Sequence, residues 1–209
     1  MLGRCRLRKW TVSGLKAGGI LDRCFTATRR PTTEMAFLMF ARCGLTSLSL
    51  NRPKSQRRIH RKNADLQLRV YPTRIDETRR TLFHRHKQRF TENVPDSLED
   101  FWGAEPSIGP CLNLEVGLYH HDRLVAASYM DVGASAVSSI YGFFDPSEEP
   151  RSLGIATMLA EIQWAQERGC QYYYPGYAYA QPSHYDYKKQ FKGLEAFDWN
   201  HWLPHPRPT

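Results

Sequence analysis

A chain of 209 residues that is 41% hydrophobic and 24% charged has the composition of one globular domain, which excludes a fibrous or wholly disordered protein. Its formal net charge of +8 calls for an anionic partner: nucleic acid, a phosphorylated co-substrate or an acidic surface. Five widely spaced cysteines support neither a disulfide framework nor a zinc knuckle and fit a reducing compartment, and no apolar run is long enough to span a bilayer.

Residues 1–44 read as an irregular basic segment. Up to Arg30 eight Lys and Arg residues face only Asp22, the composition of an organellar leader, although no amphipathic repeat runs through Gly14, Gly18 and Gly19. After Leu50 comes a basic stretch whose Pro53 and Ser55 suit a loop entry and whose residues from Gln56 to Asn63 suit a short helix; a solvated charged face would look the same. Alternation from Leu66 to Tyr71 predicts a strand. Helical spacing follows from Asp76 to Phe90, and Pro95, Asp96 and Ser97 lead into a second short helix with Leu98, Phe101 and Trp102.

The centre of the chain predicts an antiparallel sheet. Leu112–Tyr119 and Leu124–Asp131 alternate about a turn at His120–Arg123, and Val137–Phe144 gives a third strand that ends at Asp145-Pro146. Helical periodicity from Ser152 to Arg168 stops at Gly169, and Gln171–Tyr174 is strand-like. The loop between the third strand and this helix holds Arg151, Gly154 and Ala156 in an R-x-x-G-x-A arrangement. In acetyltransferases of the GNAT type such a segment opens a helix whose amides receive a pyrophosphate, and an ordinary helix start can carry the same letters.

Four ordered blocks resemble the arginyl-tRNA protein transferases: the basic run from Pro53 to Leu66, Ser138–Pro146 (Ser-Ser-Ile-Tyr-Gly-Phe-Phe-Asp-Pro), Arg151–Gly154, and Tyr172–Tyr177 (Tyr-Tyr-Tyr-Pro-Gly-Tyr). The likeness covers roughly Leu45 to Trp202. It implies an α+β, GNAT-like acyltransferase fold with a mostly antiparallel central sheet flanked by helices, occupying residues 45–203 before a short tail, 204–209. It also implies transfer of an amino acid, with arginine expected, from aminoacyl-tRNA to a protein N-terminus beginning with Asp or Glu, in the cytoplasm and with no further cofactor. The sequence departs from the family in lacking its paired N-terminal cysteines, since Cys24 and Cys43 stand alone, and in lacking the cysteine that commonly precedes the Tyr187-Lys188 element.

An aminoacyl ester is already activated, so the chemistry needs a held 3′ end, a proton acceptor for the amine and a stabilised oxyanion. Ser55, Gln56, Arg57, Arg58 and Arg61 are candidates for the tRNA backbone, Arg151, Gly154 and Ala156 for a phosphate or the 3′ end, and Gly176 and Tyr177 for binding substrate or tRNA. Asp131 and Asp145, at strand ends, are candidate bases or grips for a cationic donor side chain, with a plain turn role equally open to Asp145. Tyr141, Tyr174 and Tyr177 can place a phenol near the leaving oxygen or stack on adenine, whereas Tyr172 and Tyr173 suit packing. Lys188, with Lys189 beside it, can pair with an acidic acceptor residue, and no histidine spacing builds a metal site. An acetyl-CoA-dependent N-acetyltransferase leaves the Arg57-Arg58 block unexplained, and an RNA-binding module makes the tyrosine-rich strand incidental.

Overall fold

The computed structural model describes residues 38–45, 53–91, 95–102, 111–179, 186–191, 193–197 and 201–204; the leader reading of the first thirty residues lies outside them. The chain runs β1 (Leu38–Gly44), α1 (Lys54–Lys62), β2 (Gln67–Pro72), α2 (Glu77–Lys87), α3 (Glu99–Trp102), β3 (Leu112–His120), β4 (Arg123–Val132), β5 (Ala136–Phe144), α4 (Leu153–Glu167), β6 (Tyr172–Tyr179), β7 (Leu194–Phe197) and β8 (Trp202–Pro204). Two 3-10 turns, Pro146–Arg151 and Asp186–Gln190, join β5 to α4 and lead toward β7.

The eight strands form one sheet in the order β2-β3-β4-β5-β6-β1-β7-β8, antiparallel except for β5 against β6. The parallel pair comes from a crossover through α4. Strand β1 is a correction to the expected boundary after residue 44: it sits inside the sheet, paired with β6 on one side and β7 on the other.

Side chains alternate across the strands, so each face has its own core. On one face α4 sets Met158, Ile162 and Ala165 on Val116, Met130, Val137 and Tyr173, and α1 adds Ile59 over Leu118, Val125 and Ala126 beside Leu153. On the other face α2 sets Leu82 and Phe83 on Ala127, Tyr129 and Phe143. Asp76 caps α2 by accepting the Arg79 N–H at 3.1 Å. Among the described cysteines Cys43 and Cys170 are buried free thiols, whereas Cys111 is disulfide-bonded, contrary to the expectation from their spacing.

Candidate active site

The two parallel strands part almost as soon as they meet. Register runs Ala136 to Tyr172, Val137 to Tyr173 and Ser138 to Tyr174, and then stops, although both strands continue. The cause is local on each side. In β5 Tyr141 faces Tyr129 and Ser139 faces Met130, so Ile140 is an extra residue that bends the strand. In β6 Ala41 faces Gly176 and Cys43 faces Tyr173, so an extra residue falls at Tyr174-Pro175; Pro175 has no N–H to give a ladder, and Gly176 takes a φ of 83°. Beyond this point the inner edges of β5 and β6 have left their mutual ladder.

A buried polar cluster lies under the parting. Glu161 of α4 is fully buried, and the Tyr173 hydroxyl donates to its Oε2 at 2.5 Å. The Ser128 and Ser139 hydroxyls also favour its charged form, but Oε1 and the Ser128 Oγ meet no hydrogen-bond geometry, so the carboxylate is short of partners. Burial outweighs these donors and pushes the Glu161 pKa up to about 7. Lys188 reaches the same place from the turn Asp186–Gln190. A Cβ built on Gly176 would lie 3.5 Å from Lys188 Nζ and 3.9 Å from the Ser139 carbonyl oxygen, which puts the amine at the mouth of the gap. Burial brings the Lys188 pKa down to about 8, against the pull of the Glu161 charge. The buried Cys43 thiol, pushed up to about 12 by burial, stays protonated nearby. Lys189 instead pairs with Asp186 at 2.7 Å.

A cavity of about 180 Å³ lies between α1, the start of α4 and the turn that carries Lys188, lined by Ser55, Gln56, Arg58, Ile59, Ser152 and Tyr187 among others. The loop before α4 is stitched to the end of α1. Lys62 Nζ donates to the Pro150 carbonyl at 2.8 Å, Asn63 Nδ2 to that of Arg151 at 2.9 Å, and Arg151 Nη1 to that of Lys62 at 3.0 Å.

These contacts reassign several expected site residues. Arg151, expected on phosphate, is held by Asp65 through two hydrogen bonds of 2.8 and 2.9 Å and by Glu148 at 2.8 Å, so its fork is occupied. The Ala156 amide, expected to face the ligand, donates to the Ser152 carbonyl at 3.1 Å; Gly154 lies where a Cβ would press on the Phe144 ring at 3.3 Å, a packing demand as much as a ligand one. Asp145 caps its own turn through Ser147 and takes Arg85 at 2.6 Å and Arg123 at 2.8 Å, which keep its pKa below the usual carboxylate range despite burial. Its carboxylate oxygens are taken up by the turn and by these two ion pairs. Tyr141 packs among Phe83, Phe101 and Phe143 on the α2 face. Tyr174 lies beside Trp202, on the face opposite Tyr173. Of the helix residues, Ser55, Gln56 and Arg58 line the cavity, while Arg57 and Arg61 point to solvent. Gly176 and Lys188 come together at the gap; Tyr177 is on β6 one residue beyond.

Asp131 shows why a suitable pKa is not a site by itself. Burial pushes it up to about 6, a value fit for a base. Yet its Oδ1 accepts from Asn113 Nδ2 at 2.7 Å on the face away from Glu161. An acid whose folded pKa is raised gives nothing below its unfolded value near 3.8 and a full penalty above about 6. Asp131→Asn is therefore expected to leave transfer intact and to stabilise the fold at pH 8 in urea titrations, with the gain fading from pH 6 to 4.

Glu161 and Tyr173 are the residues that sequence reasoning passed over. The signal for Glu161 was present: it falls on the buried stripe of α4 with Thr157, Met158, Ile162 and Ala165, where a carboxylate has no business unless something holds it.

The chain's sequence over residues 70–198 matches the family described as "Arginine-tRNA-protein transferase, C terminus". It is similar to proteins named aspartate/glutamate leucyltransferase: 31% identical over 156 residues in Saccharophagus degradans (72% of this chain, 65% of that protein). In Xanthomonas euvesicatoria pv. vesicatoria the figure is 35% over 157 residues (71% and 62%), and in Xanthomonas oryzae pv. oryzae 36% over 167 (75% and 66%). The chain thus spans under two thirds of their length, between 62% and 66%. In fold it resembles the structure of L-PGS from Bacillus licheniformis (TM-score 0.52, 14% identity, 70% of this chain and 46% of that one). It also resembles the C-terminal domain of a putative lysylphosphatidylglycerol synthetase from Agrobacterium fabrum (TM-score 0.53, 16% identity, 71% and 51%). The fold is GNAT-like, with the mostly antiparallel sheet flanked by helices.

Proposed function

The chain belongs to the arginine-tRNA-protein transferase C-terminal family, and on that premise we propose that it transfers an aminoacyl group from aminoacyl-tRNA to the N-terminal α-amine of a protein beginning with Asp or Glu. The observation that carries the reading is Lys188, set at the parting of β5 and β6 with Glu161 and Tyr173 behind it. A neutral Lys188 amine takes the proton of the incoming α-ammonium, whose own pKa is near 8, so the transfer costs little. The amine attacks the ester carbonyl, and backbone N–H groups along the gap meet the oxyanion. The C–N bond forms and the ester C–O bond breaks; Lys188 returns its proton to the leaving 3′ oxygen and, neutral again, takes the second proton from the new amide nitrogen, so that one proton passes to solvent per transfer. No further cofactor enters this scheme, and its need for charged tRNA suits the cytoplasm.

Leucine is the donor we favour over the arginine expected from sequence. The relatives are named for leucine. The basic outer face of α1, with Arg57 and Arg61, suits tRNA backbone.

The test offers the purified protein labelled leucyl-tRNA, arginyl-tRNA or acetyl-CoA with peptides beginning in Asp, Glu or Ala. Label passing from leucyl-tRNA to the acidic peptides alone is expected. Label passing only from arginyl-tRNA overturns the donor assignment, and label passing only from acetyl-CoA overturns the reaction.

A further inference from the structure

Helix α1 presents two different basic surfaces. Arg57 and Arg61, four residues apart, point to solvent, whereas Ser55, Arg58, Ile59 and Lys62, spaced by three and four, turn toward the cavity at the start of α4. A role in binding RNA backbone accounts for the first set; in the second, Ile59 packs on the sheet and Lys62 donates to the Pro150 carbonyl, which leaves Arg58 without a task.

The cavity has the features of a small anionic side-chain seat. Its volume of about 180 Å³ is below the ~300–1,000 Å³ usual for small-molecule and cofactor pockets, which leaves room for one side chain and not for a nucleotide. Ile59, Ile155 and Phe191 give it apolar walls. Arg58 and Lys62 stand at its polar side, and Ser152 brings the positive end of the fifteen-residue α4, where the Leu153 and Gly154 amides precede the first helical bonds, made by Ile155 and Ala156 to the Ser152 carbonyl. Gln56 is the second, independent sign: it is only 7% exposed, lines the cavity, and its side-chain amide makes no hydrogen bond among the described residues. The amide is therefore set in the cavity wall, where it can reach a ligand placed there.

We propose that this cavity seats the side-chain carboxylate of the acceptor's first residue, with Arg58 and Gln56 gripping the carboxylate and Ile59, Ile155 and Phe191 flanking its methylene stem. The inference rests on the transferase reading and gives it a structural source of acceptor choice. Geometry ties the seat to the chemistry. Tyr187 and Gln190 of the short turn line the cavity, and Lys188 between them reaches the gap, so a residue anchored in the seat presents its α-amine toward Lys188. An RNA phosphate is the competing anion, but it has no use for three apolar walls, and Arg57 and Arg61 already offer it an open surface.

The test has a kinetic and a binding arm. In the kinetic arm, Arg58→Met is expected to raise KM for peptides beginning in Asp or Glu at least about tenfold, with KM for the aminoacyl-tRNA unchanged. Ile155→Trp, which fills the cavity, should do the same by sterics, and circular dichroism verifies that both variants fold. In the binding arm, calorimetry without tRNA compares peptides beginning in Asp and Glu with their Asn and Gln counterparts. The wild-type protein is expected to prefer the acidic pair about tenfold, and Arg58→Met to abolish the preference. Equal binding of acidic and amide peptides by the wild type overturns the seat, as does a rise in KM for the aminoacyl-tRNA in Arg58→Met, which would assign the cavity to RNA phosphate. If the wild type transfers from no aminoacyl-tRNA, the transferase reading falls while the binding arm still decides the seat.

Discussion

Replacement of Lys188 by Met should lower kcat by about two to four orders of magnitude, the range for removal of a positioned acid–base group, while leaving the melting temperature close to that of the wild type. The more telling variant is Glu161→Gln. Glu161 is fully buried and is a positioning residue that acts through Lys188: its charge raises the Lys188 pKa against the desolvation that lowers it to about 8. Without that charge desolvation acts alone, so the Lys188 pKa falls further. The rising limb of the pH–kcat profile should therefore move to lower pH by about one unit while the maximum rate drops, as proton return to the leaving oxygen loses its partner. A Glu161 that only packs would lower the rate with the limb in place, and an unmoved limb sinks the assignment. Tyr173→Phe removes the 2.5 Å donor to Glu161 and should move the Glu161 titration up, with a smaller effect on rate.

The fold was largely legible because its middle consists of local signals. The hairpin of β3 and β4 needs only alternation on both sides of His120–Arg123, and α4 needs only its stripe and the stop at Gly169. Strand β1 was not legible. Leu38–Gly44 overlaps an apolar run whose length excluded a membrane span, and nothing near it in sequence names its partners, which lie more than 120 residues away on β6 and β7. The same distance problem governs the site. Asp145 looks like a base until Arg85 and Arg123 are placed on it, and Arg151 like a phosphate ligand until Asp65 is. Charged side chains in motifs reveal their chemistry only after their ion pairs are known. Conversely, Gly176 and Lys188 were recognisable through resemblance, and the structure supplies the physical link between them.

Arg79→Met is expected to be the most damaging single change to stability, at about 3–5 kcal/mol. Arg79 is 2% exposed and Glu115 0%. The guanidinium spans them with two hydrogen bonds, Nε to Oε2 at 2.6 Å and Nη2 to Oε1 at 2.5 Å. It also donates to the Tyr119 hydroxyl at 3.2 Å and, through Nη1, to Asp76 at 2.7 Å. The arginine thus joins α2 to the middle of β3 and is held charged by its two carboxylates in spite of burial. A methionine fills much of the same volume but leaves the Glu115 carboxylate in the core with no counter-charge, and that isolated charge, more than any lost attraction, is the source of the cost. The double variant Arg79→Met with Glu115→Leu separates the two contributions, since it removes the stranded charge as well as the pair. Urea titrations at pH 7 should show it recovering most of the single variant's loss. A double variant as unstable as Arg79→Met would instead mean that α2 depends on the fork itself, through Asp76 and Tyr119, for its seat on the sheet.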